Sequence, residues 1–248
     1  VVYPVTDRPF FFGRGGGGGS GEWLRQPEGG DDYESALDRI RIVTGEIRFA
    51  LGMQLVEAVQ DPLEVAAALS RTAEAALLVA VEATEREFAR NHGGFAGGGL
   101  LVLGYGRLGG GALTHASDLD IVYLFAESDD AGESDGAKPL GETLYYNRLA
   151  QRVTAALSVP TAEGALYQVD TRLRPQGNQG PLASGLASFA RYQMESAWTW
   201  EHMALCRSRV LAGPAKAREE LERVVHTALN RERDHARLRD EVLEMRAM

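Results

Sequence analysis

The segment Gly104-Tyr105-Gly106-Arg107-Leu108-Gly109-Gly110-Gly111, followed closely by Ser117-Asp118-Leu119-Asp120, constrains this chain more than any other. The apolar run 100–103 precedes it and the strand-favouring run 119–125 follows, so the glycines are predicted to turn the chain between two buried strands. Side chains alternate along a strand, so Asp118 and Asp120 project the same way. Carboxylates that close repel unless a cation lies between them, and magnesium suits such oxygen ligands because it shares its shell with phosphates. Glycines just upstream allow backbone N–H groups to approach a phosphate. Each half of the pattern has a plainer alternative. A bare Asp-x-Asp is also a common solvent-facing strand start, and a glycine-rich turn can be only a tight connection. The segment lacks the Gly-Lys-Ser/Thr of a P-loop, and a second strand follows where a dinucleotide fingerprint requires a helix and an acidic partner.

Residues 166–173 read as a third strand. Alternation then places Asp170, Arg172 and Arg174 on one face, with a metal-binding carboxylate beside two guanidinium groups suited to phosphate. The alternative is a surface salt-bridge ladder. Convergence of Asp170 with Asp118 and Asp120 in space separates the two readings.

The rest of the chain is predicted to be largely helical. From Asp32, the positions Tyr33, Leu37, Ile40, Val43, Ile47, Leu51 and Leu55 recur at helical spacing; Asp61-Pro62 with Glu64 then forms a capping-box-like start to a second helix toward Asn91. A further helix follows from Leu144 to Leu157 and stops before Pro160, and almost everything after Gly185 is helical in pattern. Strands and helices do not alternate regularly, so the fold class is α+β, with a small mixed sheet and helices around it. The expected division is a flexible, glycine-rich linker over 1–31, a helical connector over 32–92, a core over 93–184 and a C-terminal helical segment over 185–248. Within that last segment, Trp198 and Trp200 read as core residues, Glu201 as a partner for an arginine, and His202 as an ordinary hydrogen-bonded histidine.

The formal net charge of -9 argues against bulk binding to nucleic acid or to an anionic membrane. The longest apolar run, Ala75 to Val81, is far too short to span a bilayer and reads as a buried helix segment. Cys206 is the single cysteine, which rules out an internal disulfide, shows no zinc spacing and fits a reducing cytoplasm. The start at Val1, with no leader pattern, suggests an excised fragment.

Three blocks, GYGRLGGGALTHASDLDIVYLF, YQVDTRLRPQGNQGPLASG and FARYQMESAWTWEHMALCRSRV, resemble the bacterial glutamine synthetase adenylyltransferase family of the polymerase-β-like nucleotidyltransferase superfamily, over Asp32 to Pro214. Members have two related catalytic halves, one adding AMP to a tyrosine of glutamine synthetase and one removing it by phosphorolysis. The Ala197–His202 block is similar to the adding half. The resemblance implies Mg2+ as cofactor and ATP as substrate. It maps Asp118, Asp120 and Asp170 onto the metal-binding acids and Gly109 and Gly110 onto the phosphate-side turn. Arg107, Ser117, Arg172 and Arg174 become candidate nucleotide-binding residues, Arg107 standing where members commonly carry lysine. Asp170 is also expected to help deprotonate the target tyrosine. Glutamine synthetase is the implied partner, with nitrogen-signalling regulatory proteins as further partners of the full-length enzyme. The alternatives are phosphorolytic AMP removal and a non-catalytic, nucleotide-sensing module that docks a partner.

Overall fold

Asp61 and Pro62 start the longest helix of the fold: the Asp61 carboxylate accepts the Leu63 amide at 2.7 Å, and Pro62 fills the first turn. The Glu64 carboxylate does not close the expected capping box and instead accepts the Gln60 side-chain amide. The computed structural model describes residues 32–128, 132–232 and 235–247, so the linker expected over 1–31 lies outside the described residues. Helix α1 (Tyr33–Val56) and helix α2 (Pro62–His92) lead into β1 (Gly99–Gly104), a single helical turn α3 (Gly106–Gly109), and β2 (Leu119–Ala126). Then come α4 (Glu142–Ser158), β3 (Val169–Asp170), β4 (Ala183–Gly185), α5 (Leu186–Glu195), α6 (Thr199–Leu205), β5 (Arg209–Ala212), α7 (Ala215–Leu229) and α8 (His235–Ala247).

The sheet is mixed. β2, β1 and β5 form an antiparallel centre, while β3 and β4 both pair in parallel with the other edge of β2, β3 at its start and β4 near its end. Alternation divides the core. Leu119, Ile121, Tyr123 and Phe125 face one apolar cluster with α1, α2 and α4, which contains the whole run 75–81 except Leu78 at its margin; Val122 and Leu124 face a second cluster with α5, α6 and α7. The α+β fold with a small mixed sheet is therefore as expected. Among the described residues no helix is long and apolar enough to cross a membrane.

Three local expectations need correction. The segment 166–173 is not a continuous strand: β3 has only Val169 and Asp170, and the chain then turns, with the Arg174 amide donating to the Thr171 carbonyl at 3.3 Å. The largely helical segment after Gly185 contains a strand that was not expected, Arg209–Ala212, which forms the edge strand β5 with Val210, Leu211 and Ala212 buried. Trp198 and Trp200 are 71% and 45% exposed and so are not core residues. Trp198 is the extended N-cap residue ahead of α6, and Trp200 lies in the first turn of that helix.

Candidate metal and nucleotide site

The parallel pairing of β2 and β3 puts Leu119 opposite Val169 and Asp120 opposite Asp170. Even-numbered residues of β2 face the second cluster. Asp120, the first of them, stands at the open start of the strand, before apolar neighbours close over that face. Asp118, Asp120 and Asp170 each offer a carboxylate oxygen, and these oxygens lie within 4.8 Å of one another. The three acids named from the sequence are therefore neighbours in space.

Their electrostatics differ. Burial, then the charges of Asp118 and Asp170, push the Asp120 carboxyl above its ordinary range. Asp170 moves the other way: its oxygens accept from the Arg172 side chain, with Nε 3.0 Å from Oδ1 and 2.8 Å from Oδ2 and Nη2 also on Oδ2, and the Arg172 amide donates to Oδ1 at 2.8 Å. A carboxylate so clasped is a weak base, which runs against Asp170 as acceptor of the tyrosine proton.

Gly106 is the feature that sequence reasoning missed. Its φ is +55°, and a Cβ there would stand 2.3 Å from Asp120 Oδ2, so only glycine lets the turn close against the acid. The Tyr105 amide donates to the Asp120 carbonyl at 2.8 Å and holds the turn to the strand. Gly109 and Gly110 continue this turn; their amides donate to the carbonyls of Tyr105 and Gly106, at 2.8 and 3.1 Å. A Cβ added at Gly109 would lie 2.2 Å from the Arg207 carbonyl oxygen, and one at Gly110 would lie 3.2 Å from the Gly106 carbonyl oxygen and 3.3 Å from Arg207 Nη2.

The remaining candidates separate into two groups. Arg107 is exposed and donates to Thr114 Oγ1 at 3.2 Å, while Ser117 Oγ accepts the Thr114 amide at 3.0 Å, so both shape the loop that delivers Asp118. Arg174 bonds within its own turn, to the Thr171 carbonyl at 2.8 Å and Thr171 Oγ1 at 3.0 Å, whereas Arg172 reaches the acids. Glu201 does not pair with an arginine as expected: it is buried, and it accepts from the Tyr192 hydroxyl at 2.9 Å and the Trp198 amide at 2.8 Å. His202 is buried with its Nε2 3.0 Å from the Gln193 carbonyl oxygen, an ordinary structural histidine.

An α+β domain with three carboxylates gathered at the start of its central strand, beside a glycine turn, is of the nucleotidyltransferase type. Residues 22–224 match the model of the family described as glutamate-ammonia ligase adenylyltransferase, and the chain belongs to that family. It is 44% identical over 221 residues to a bifunctional glutamine synthetase adenylyltransferase/adenylyl-removing enzyme of Mesorhizobium japonicum, covering 89% of this chain and 22% of that protein. Proteins of the same name from Rhizobium meliloti, 44% identical over 220 residues, and Stenotrophomonas maltophilia, 41% identical over 216 residues, cover 89% and 87% of this chain. This chain spans 22% of the former and 23% of the latter, about a fifth of each relative's length.

Proposed function

We propose that this chain transfers AMP from ATP to a tyrosine of glutamine synthetase, in the cytoplasm and with magnesium as its metal. The observation that carries the reading is the convergence of Asp118, Asp120 and Asp170 beside Gly106. The names of the relatives, which combine adenylyltransferase with adenylyl-removing enzyme, supply the substrate class.

The residues fit the metal. Three carboxylates form a hard oxygen donor set, and the pKa of Asp120 is raised by burial and then by the charges of Asp118 and Asp170, a repulsion that a divalent cation relieves. Bound there, magnesium supplies charge neutralisation at the triphosphate. Asp118, at the end of the loop before β2, and Asp120, on β2, would hold it, and Asp170 would add an oxygen from β3. Arg172, exposed and already at the acids, offers a guanidinium to phosphate oxygens when it leaves Asp170. Arg107 and Ser117 fix the loop before Asp118, and the turn through Gly109 and Gly110 backs the phosphate side of the site. The tyrosine oxygen bonds to the α-phosphorus, the α–β bridging oxygen departs with pyrophosphate, and the phenol proton is released.

The direction rests on the Ala197–His202 block, whose likeness is to the adding half. Phosphorolytic removal of AMP is the second reading, because the same three acids serve either direction. Mass spectrometry of glutamine synthetase incubated with this chain, ATP and magnesium tests the proposal. A tyrosine heavier by one AMP is expected, and unmodified synthetase beside a folded chain contradicts it.

A further inference from the structure

Strand β3 is too short to fix Asp170 by itself. Two residue pairs join it to β2, extended by one bond from the Leu119 amide to the Gln168 carbonyl at 2.9 Å. A shared site for Asp120 and Asp170 needs a second restraint between the chain segments that carry them.

Helix α1 provides one. Its buried face includes Leu37, Arg41, Thr44 and Leu51, and Arg48 falls on the same stripe at four- and three-residue steps. Arg48 Nη2 donates to the His115 carbonyl at 2.8 Å, and Nη1 donates to the Leu166 carbonyl at 3.2 Å. Its Cζ lies 4.9 Å from the ring centroid of Tyr167, which is buried. His115 belongs to the loop that ends at Asp118, and Leu166-Tyr167 is the segment that enters β3 at Val169. One planar group therefore holds both approaches to the acids at a fixed separation. Lysine, with a single nitrogen, cannot reproduce that fork.

We infer that Arg48 is a positioning residue of the acidic site, clamping the segments that lead into Asp118 and Asp170 without touching any of the three carboxylates. The inference rests on the reading of these acids as metal ligands. Arg41 supplies an internal comparison. It is buried one stripe-repeat earlier on α1 and donates to the carbonyls of Ala156, Val159 and Gly164, at 2.7, 3.0 and 2.9 Å, all around the end of α4. Arg41 thus ties α1 to the end of α4 and to Gly164, and it donates to neither His115 nor Leu166.

The test compares Arg48→Met, Arg48→Lys and Arg41→Met with the parent 248-residue chain, by amide hydrogen exchange and by Mn2+ binding in calorimetry. Arg48→Met is expected to speed exchange over both 114–119 and 166–170 and to weaken Mn2+ binding about 10–100-fold, the range typical of residues that orient metal ligands. Arg48→Lys should fall between it and the parent, and it decides by the same criteria if Arg48→Met does not fold. Arg41→Met is expected to lower the Tm while keeping parental Mn2+ affinity. Parental exchange in both Arg48 variants, or an equal loss of affinity in Arg41→Met, overturns the assignment. A parent that binds no Mn2+ refutes the metal reading of the acids instead, and exchange at the two segments then decides on the clamp alone.

Discussion

Asp120 and Asp170 are register partners on adjacent parallel strands, so their side chains leave the same face of the sheet side by side. This pairing sets Asp120 and Asp170 side by side, while the short β3 leaves Asp170 in need of the further restraint that Arg48 supplies. It also explains why two chemically equal groups titrate apart: Asp120 is half-buried among like charges, and Asp170 has Arg172 as its counterion.

Asp120→Asn is therefore expected to abolish nucleotidyl transfer and metal binding while slightly stabilising the metal-free fold. A carboxyl whose folded pKa is raised contributes stability below its unfolded pKa and loses it as pH rises through the folded value. The parent should thus weaken relative to the variant as pH climbs through the carboxylate range. Parallel melting curves across pH, with an Mn2+ titration, check both halves of this expectation.

Gly106→Ala and Gly111→Ala separate backbone strain from contact with the acid. Both glycines have positive φ, +55° and +68°, but a Cβ at Gly111 meets nothing within 4 Å while one at Gly106 strikes Asp120. Gly111→Ala should cost about 1–2 kcal/mol, the left-handed penalty alone. Gly106→Ala should cost more and weaken Mn2+ binding as well. Denaturant unfolding and metal titration of the pair measure the difference.

Glu85 gives the fold a pH dependence away from the site. Burial, then the charge of Glu82, raises its pKa from 4.5 to about 7, so its carboxyl is carried protonated at mildly acid pH. The stability it contributes is complete below pH 4.5 and is lost as pH rises through about 7. Glu85→Gln should remove that slope and stabilise the chain at pH 8 by up to about 3 kcal/mol. Tm measured from pH 5 to 8 reports it.

Between α5 and α6, Glu201→Ala leaves the Tyr192 hydroxyl and the Trp198 amide without their acceptor and should cost about 2–3 kcal/mol. Trp198→Ala, at a largely exposed side chain, should change stability by no more than about 0.5 kcal/mol. Chemical denaturation of the two variants checks the contrast.

How much of this was legible in the sequence depended on the range of the interactions. Strands β1 and β2 and helices α2 and α4 follow from apolar runs, Asp61-Pro62 and Pro160, all local signals. The acids were legible as residue types because alternation along β2 is also local. β5 was not: the apolar run Val210-Leu211-Ala212 ahead of Gly213-Pro214 has the same pattern in a strand as in a helix, and only pairing with β1 decides between them. The fate of Arg172 and Arg174 was hidden for a related reason. β3 stops at Asp170, and the turn before Pro175 sends one arginine back to the acid and the other into its own loop. The role of Gly106 needed its distance to Asp120, and that of Arg48 needed two carbonyls far away in the chain. No pattern in one segment contains such contacts.

Transfer of AMP onto glutamine synthetase is tested by a paired assay of this chain with Asp120→Asn as the control. One arm holds unmodified synthetase with ATP and magnesium, the other AMP-modified synthetase with inorganic phosphate and magnesium. Pyrophosphate and AMP-tyrosine are expected in the first arm, neither with Asp120→Asn, and no ADP in the second. ADP from the second arm without pyrophosphate in the first contradicts the direction; silence in both arms from a folded, metal-binding chain contradicts the transfer itself.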